Sequence, residues 1–426
     1  MRTDSPHDPY AAFRHAAFAK VTIGAFVVIL GTRIQAVAIL WEVYQRTGKY
    51  GSLGLIGLVQ ALPMMLLVLP AGHLADHVDR VRIKRWSLAG ATCTSLALGG
   101  FSLLEGGVGW MYLLLGLDAA VLTLGRPAGQ AMLPRLVSRA DFANAMMWRS
   151  STFQMAAVLG PALGGLVVAW RVPAAYFISA ATSVLMLILL GRIRLRPLEV
   201  TESAARPAPG WQALAEAVGF LRREPVVLSA VSLDMFAVLL GGAVYLLPVY
   251  ATDILGVGPR GYGALTAAPA LGALAMGVYL AHRRPMRRAG LALLGAVAGF
   301  GAATIVFGLS RNIWLSLVCL ALTGLFDNVS VVVRHTLIQL RTPDTMRGRV
   351  SALNSVFIGA SNELGGMESG LVAAWFGPVV SVVSGGVGTL LVVFGIGASS
   401  RTLRGLGSLE VEEAGAEDAG EPPGPA

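Results

Sequence analysis

Eight charged side chains stand inside stretches that are otherwise apolar: Arg33, Asp118, Arg126, Arg149, Asp234, Asp327, Glu363 and Glu368. A carboxylate in such surroundings can take up and release a proton, and a guanidinium can hold an anion. Ionisable groups in hydrocarbon are costly, so they face a cavity or a partner. Asp327, Asp234 and Asp118, in that order, are the candidate proton carriers. Arg33 is the candidate partner for an anionic group or a counter-ion, with Arg126 in the same set. Asp118 and Arg126 are eight residues apart, which on a regular helix is about 80° of rotation and about 12 Å of rise. They share a cavity on that geometry but do not pair directly. Gln35, Gln60, Asn328, Asn354 and Asn362 are candidates for substrate contact or for hydrogen bonds between helices.

The elements that must position these groups follow from composition. Of 426 residues 55% are hydrophobic and only 13% are charged, about half the charge of a soluble domain. The apolar residues come in blocks of roughly 20, enough to cross a hydrocarbon core of about 30 Å. Twelve spans are expected, near 20–42, 52–71, 86–104, 110–132, 143–170, 173–190, 226–250, 261–281, 289–309, 313–333, 350–375 and 378–398. This is an all-α polytopic membrane protein. Its expected parts are an N-terminal segment 1–19, a six-helix bundle 20–190, a central loop 191–225, a second bundle 226–398 and a disordered tail 399–426. Residues 1–19 are mixed and polar, and the first apolar block is too long for a signal-peptide core. Within the central loop, WQALAEAVGFLRR (211–223) reads as an interfacial amphipathic helix.

With twelve spans and the N-terminus inside, inward segments carry 25 Lys and Arg and outward loops 5. That bias follows the positive-inside rule, with both termini cytoplasmic in the cell's inner membrane. The net charge of +9 is therefore a topology signal. Basic runs such as HRRPMRR (282–288) lack the context of a nucleic-acid site.

A repeat ties the two halves together. LGPALGGLVVAW (159–170) returns as LGGMESGLVAAW (364–375), 205 positions on, with seven of twelve residues identical. Gly116, Leu117 and Arg126 map to Gly324, Leu325 and Arg334 at an offset of 208, and Leu74-Ala75 to Leu280-Ala281 at 206. Six helices per unit leave both copies in the same orientation, a parallel repeat. The intramembrane charges fall on spans 1, 4, 7 and 10 and on 5 and 11, while spans 3, 6, 9 and 12 are free of them. The second copy of the repeat has gained Glu368, for which an outer-gate ion pair and a proton site are both open.

Other chemistries find no footing. There is no phosphate-binding loop, no H-E-x-x-H and no cysteine cluster, and the six histidines all fall on the cytoplasmic side. Cys93 and Cys319 are single residues within spans. No enzyme, metal or cofactor is expected, and no nucleic-acid partner.

GHLADHVDRVRIK (72–84) resembles the signature G-x-L-A-D-R-x-G-R of the major facilitator superfamily, matched at Gly72, Leu74, Ala75, Asp76 and Arg80. Asp79 replaces the second glycine. Gly160, Pro161, Gly164 and Gly165 supply the G-P-x-x-G-G end of that family's antiporter signature. DHVDR, RIQAVAILWEVYQRTG (33–48) and RTPDTMRGRVSALNS (341–355) resemble the enterobactin-exporter and macrolide-efflux-like group. The resemblance covers the chain to about residue 400. It implies two six-helix bundles, with helices 1, 4, 7 and 10 around a cavity and 2, 5, 8 and 11 as gates. It further implies that the 72–84 loop latches the halves, Asp76 pairing across their interface in the outward-open state. Glu363 and Glu368 belong to the gating set. The implied activity is proton-coupled export of an amphipathic small molecule such as a drug or siderophore, by a monomer with the proton gradient as its energy source. Uptake on the same fold is the alternative, and a non-transporting receptor a remote one.

Overall fold

The computed structural model describes residues 8–138, 140–193, 210–283, 286 and 288–407. Among the described residues twelve long helices follow one another: α1 (Ala16–Thr47), α2 (Tyr50–His77), α3 (Arg80–Leu103), α4 (Val108–Ala131), α5 (Phe142–Trp170), α6 (Val172–Gly191), α7 (Pro225–Ile254), α8 (Gly258–Ala281), α9 (Ala289–Leu309), α10 (Ile313–Arg341), α11 (Asp344–Phe376) and α12 (Pro378–Ser399). Among the described residues ten helices are long and apolar enough to cross a membrane. The other two, α3 and α11, are equally long but more polar, because α3 opens on RVRIKR and α11 carries two glutamates.

Several helices outrun their apolar cores. The expected second span ends at 71 and the tenth at 333, yet α2 runs to His77 and α10 to Arg341. Hydropathy marks the segment in hydrocarbon, whereas backbone hydrogen bonding continues into the charged flanks. Arg334, counted among the loop charges from sequence, is thereby corrected to an interior residue of α10. The bias of basic residues survives that one change.

Packing repeats with a shift of six. In the first half α1 packs on α5 and α6, α2 on α4, and α3 on α4 and α6; in the second α7 packs on α11 and α12, α8 on α10, and α9 on α10 and α12. The halves meet through α2 with α11 and α5 with α8. Each bundle thus follows the duplicated sequence, and the cross pairs are mates under the same symmetry.

Local signals explain the ends. Asp79 caps α3, its Oδ1 accepting from the Arg82 N–H at 2.9 Å, which gives the departure from the family signature a structural task. Replacing a capping aspartate by alanine costs about 0.5–2 kcal/mol. Asp79→Ala is expected to lower the unfolding midpoint of the detergent-solubilised protein, with Asp79→Asn close to the parent; equal midpoints for all three would remove the cap from the account.

α7 is interrupted at Gly241–Gly242, where a Cβ on Gly242 would lie 2.5 Å from the Gly365 carbonyl. The expected amphipathic segment is a helix, Gly210–Arg223, with Ala217 and Leu221 buried and an Arg349–Glu216 ion pair to α11. Before α1, Pro9 to His15 lie against α5: Asn144 and Trp148 donate to the Pro9 carbonyl at 2.9 and 2.8 Å, and His15 meets Asp141 at 2.7 Å. Hydrogen bonds from Ser138 and His15 hold the Asp141 carboxyl below its usual range. After α12, Leu403 and Leu406 pack on Gly290 of α9. The remainder of the tail (408–426), the Pro-rich stretch 194–209 and residues 1–7 lie outside the described residues.

Candidate functional site

The end of the molecule that bears both termini and the inter-bundle connection is here called proximal, the other distal. The glycine seams between the halves lie distally. A Cβ on Gly165 of α5 would stand 2.0 Å from the Gly263 Cα of α8, and a Cβ on Gly370 of α11 would stand 2.3 Å from the Gly54 Cα of α2. Backbone meets backbone at both seams, which only glycine allows. Trp41 stacks on Tyr262 at 5.1 Å, the Tyr262 hydroxyl donates to the Val37 carbonyl at 3.1 Å, and Tyr44 donates to Asp253.

The rest of GPALGG seats α5 on α1. A Cβ on Gly160 would reach the Arg33 Cβ at 2.4 Å, and one on Gly164 would reach the Val37 Cβ at 2.9 Å. Pro161 lies within the helix between them. Arg33 is exposed at the middle of α1, and Arg126 is exposed on α4. Both lie within electrostatic range of Glu363 on α11, whose carboxylate accepts from Tyr245 just past the break in α7. Arg33, Arg126 and Glu363, from three helices and both halves, thus lie in one electrostatic field.

Other sequence candidates are placed differently. Asp118 is buried within the first bundle, accepting from Thr94 Oγ1 at 2.6 Å and from Gln35 Nε2 at 3.3 Å, while Gln35 Oε1 accepts from Ser95 at 2.7 Å. This network spans α1, α3 and α4. Asp234 is ion-paired with Arg334, and Ser330 donates to it at 3.3 Å. Asp234, Asp327 and Ser330 line a cavity of about 10 Å³, the size that holds one water. Asn328 and Asn354 are buried with Oδ1 atoms that have no partner among the described residues. Asn362 is exposed and donates to the Ile358 carbonyl, and Gln60 is half-buried. Glu368 is half-buried and accepts from Ser369 at 3.3 Å, with no ion pair among the described residues.

The expected 72–84 loop is mostly helical, α2 ending at His77 and α3 starting at Arg80, and Arg80 donates to the Ala131 carbonyl at the end of α4 at 3.1 Å. Gly72 has open space around it, and Leu74 packs with Ala75, Ile83 and Ala128. Asp76 lies within α2, its side chain outside the described part.

Three groups were missed from sequence. Glu42 is buried with bonds from Tyr176 at 2.6 Å and Ser102 at 2.7 Å and an ion pair to Arg46 at 2.5 Å; its i,i+4 spacing from Arg46 was the available signal. Lys84 sits beside Gly129 of α4, two residues before the span expected for α3. Tyr245 had only the preceding Gly-Gly pair to mark it.

The description of the major facilitator superfamily matches residues 21–361. The chain belongs to the major facilitator superfamily. The enterobactin exporters EntS of Citrobacter koseri and of Escherichia coli O1:K1 are each 29% identical over 390 residues, covering 89% of this chain and 90% of theirs. A bacterial homolog of the human lysosomal transporter Spinster shares the fold at TM-score 0.69 and 16% identity, over 92% of this chain and 96% of that one. The nucleoside transporter NupG shares it at 0.63 and 12%, over 90% and 98%. As a member of this superfamily the protein is a multi-pass membrane transporter, not an enzyme.

Proposed function

We propose that this transporter is a proton-coupled exporter of an amphipathic small molecule, a siderophore or drug, working as a monomer by alternating access. The observation that carries the reading is the placement of the glycine seams. They join the halves at the distal end, above the exposed Arg33 and Arg126 of the first bundle and the half-buried Glu363 of the second. Rocking about that arrangement would open the opposite face, the motion a parallel repeat supports. The curated relatives are named as enterobactin exporters, which favours export and a siderophore-sized cargo. Orientation follows the basic residues, which support a cytoplasmic proximal end, with both termini on the cytoplasmic side of the inner membrane.

For coupling, charge balance points to the second bundle. Arg334 answers Asp234, whereas Asp327, which lines the same water-sized cavity as Asp234, has no ion pair among the described residues. A proton completes that balance, and its release restores the charge. Asp118 has instead two neutral donors, Thr94 and Gln35. A pH difference of one unit supplies about 1.4 kcal/mol per proton, so one-for-one exchange sustains about a tenfold gradient. In everted vesicles the parent should accumulate substrate to that extent, while Asp327→Asn should only equilibrate it. Unchanged pH-driven accumulation in Asp327→Asn would remove this residue from the coupling role. Accumulation in right-side-out vesicles alone would establish uptake, and no flux of any compound would favour a receptor.

A further inference from the structure

Four cations of the first bundle have no partner that the coupling scheme uses. Arg33 on α1, Arg126 on α4 and Arg149 on α5 are exposed, and Lys84 on α3 is half-buried. Among the described residues none of the four makes an ion pair or side-chain hydrogen bond. They form one connected field, since Lys84 is in electrostatic range of Arg126 and Arg149, and Arg126 of Arg33. They descend from the centre of the membrane toward the proximal mouth. Met146, Arg149, Phe153 and Gly160 are spaced by three, four and seven residues and so share a face of α5. At Gly160 that face meets the stem of Arg33. Met146 and Phe153 are 45% and 47% exposed, so apolar surface alternates with charge along the stripe. The acid that answers this field is Glu363, which reaches it from the second bundle on the Tyr245 hydrogen bond.

We infer that the transported molecule is an amphipathic organic anion, whose acidic groups bind Arg33 and Arg126 in competition with Glu363 while its apolar body lies along the α5 stripe. This rests on the transporter reading and specifies its cargo. Cations so placed are costly without a partner, and guanidinium groups match carboxylate, sulfonate or phenolate oxygens in paired geometry. A neutral or cationic cargo would leave Glu363 as the acid that answers four cations. The competition also links cargo to conformation. An anion on Arg33 and Arg126 releases Glu363 from the first bundle, and Glu363 is tied through Tyr245 to the broken segment of α7. The partner that holds the halves together electrostatically is thus exchanged for the cargo, a differential interaction of the kind a population shift requires.

The test is calorimetric binding to the full-length protein in lipid nanodiscs, with naphthalene-1,5-disulfonate and the uncharged naphthalene-1,5-disulfonamide as matched probes. The disulfonate should bind at least ~10-fold more tightly than the disulfonamide, and Arg33→Gln or Arg126→Gln should each weaken it by ~10-fold or more, the range of a charge-assisted contact. Glu363→Gln should tighten it, a gain that loss of structure would not produce. Preference for the disulfonamide, no disulfonate binding at millimolar concentration, or equal affinity in parent and Arg33→Gln/Arg126→Gln would each overturn the inference. Flux of a neutral amphiphile in liposomes would then still stand for the transporter, so the two readings fail separately.

Discussion

Gly165→Val should reduce transport by about 10–100-fold while leaving the protein folded. A Cβ at this position would stand 2.0 Å from the Gly263 Cα, against the 3.5–4.0 Å of an ordinary carbon contact. The neighbour is backbone, which has no rotamer to turn aside. Overpacking of this kind costs about 1–3 kcal/mol. Here α5 and α8 belong to different bundles, so the cost falls on the distal-closed arrangement and not on the fold of either half. The distal-closed population falls by the corresponding factor, and the cycle falls with it. In a background lacking Cys93 and Cys319, a cysteine at Ala38, which is fully buried here, should react with an impermeant maleimide in the variant and stay protected in the parent. Gly100→Ala, with open space around the added methyl, is the control. Parental transport in Gly165→Val would refute the closing role of the seam.

The second large effect lies inside a bundle. Arg334 is 2% exposed and paired with Asp234 at 4%. Removing one member of a buried pair leaves the other charge uncompensated and costs about 3–5 kcal/mol, whereas replacing both by apolar groups is often neutral or favourable. Arg334→Leu should therefore lose most of that amount in an unfolding titration in mixed micelles. Asp234→Leu combined with Arg334→Leu should recover to within ~1 kcal/mol of the parent. A single variant as stable as the parent would show that the pair is not coupled to the fold. The double variant also separates stability from coupling: it should fold, bind the disulfonate probe and lose pH-driven accumulation, because the cavity that Asp327 lines has lost its second carboxylate.

These two predictions mark different relations between sequence and structure. The glycine seam was half legible. The repeat at 159–170 and 364–375 identified Gly165 and Gly370 as equivalent positions, and the small residues implied close approach. Their partners, Gly263 and Gly54, lie 98 residues after the one and 316 before the other, and nothing along the chain points to them. The Asp234–Arg334 pair was less legible. Asp234 stood out, but Arg334 follows the apolar core of its span and was counted with the loop charges. Hydropathy sees the hydrocarbon slab and not the bundle interior, which continues past it.

Elsewhere the duplicated sequence hides unequal environments. Arg126 and Arg334 are equivalent in the repeat, yet one is exposed beside Arg33 and the other is buried in an ion pair. Identity at a repeat position reports common descent of the backbone, while the environment depends on the neighbours, and here only the second bundle provides a carboxylate at that depth. Asp118 is a similar case. Its place on the fourth span suggested the central cavity, but Thr94 and Gln35 enclose it within the first bundle.

By itself, then, the amino-acid sequence determined the class of molecule, its membrane-spanning helices and the duplicated halves. Those properties are written in local composition and period, which solvent reads one segment at a time. Tertiary structure alone decided which charges are paired, which are exposed, and which meet across the halves. A buried charge has no meaning until its neighbours are known, because the same carboxylate is an ion-pair partner beside Arg334, a hydrogen-bond acceptor beside Thr94, and at Glu363 the opposing charge to two unpaired arginines.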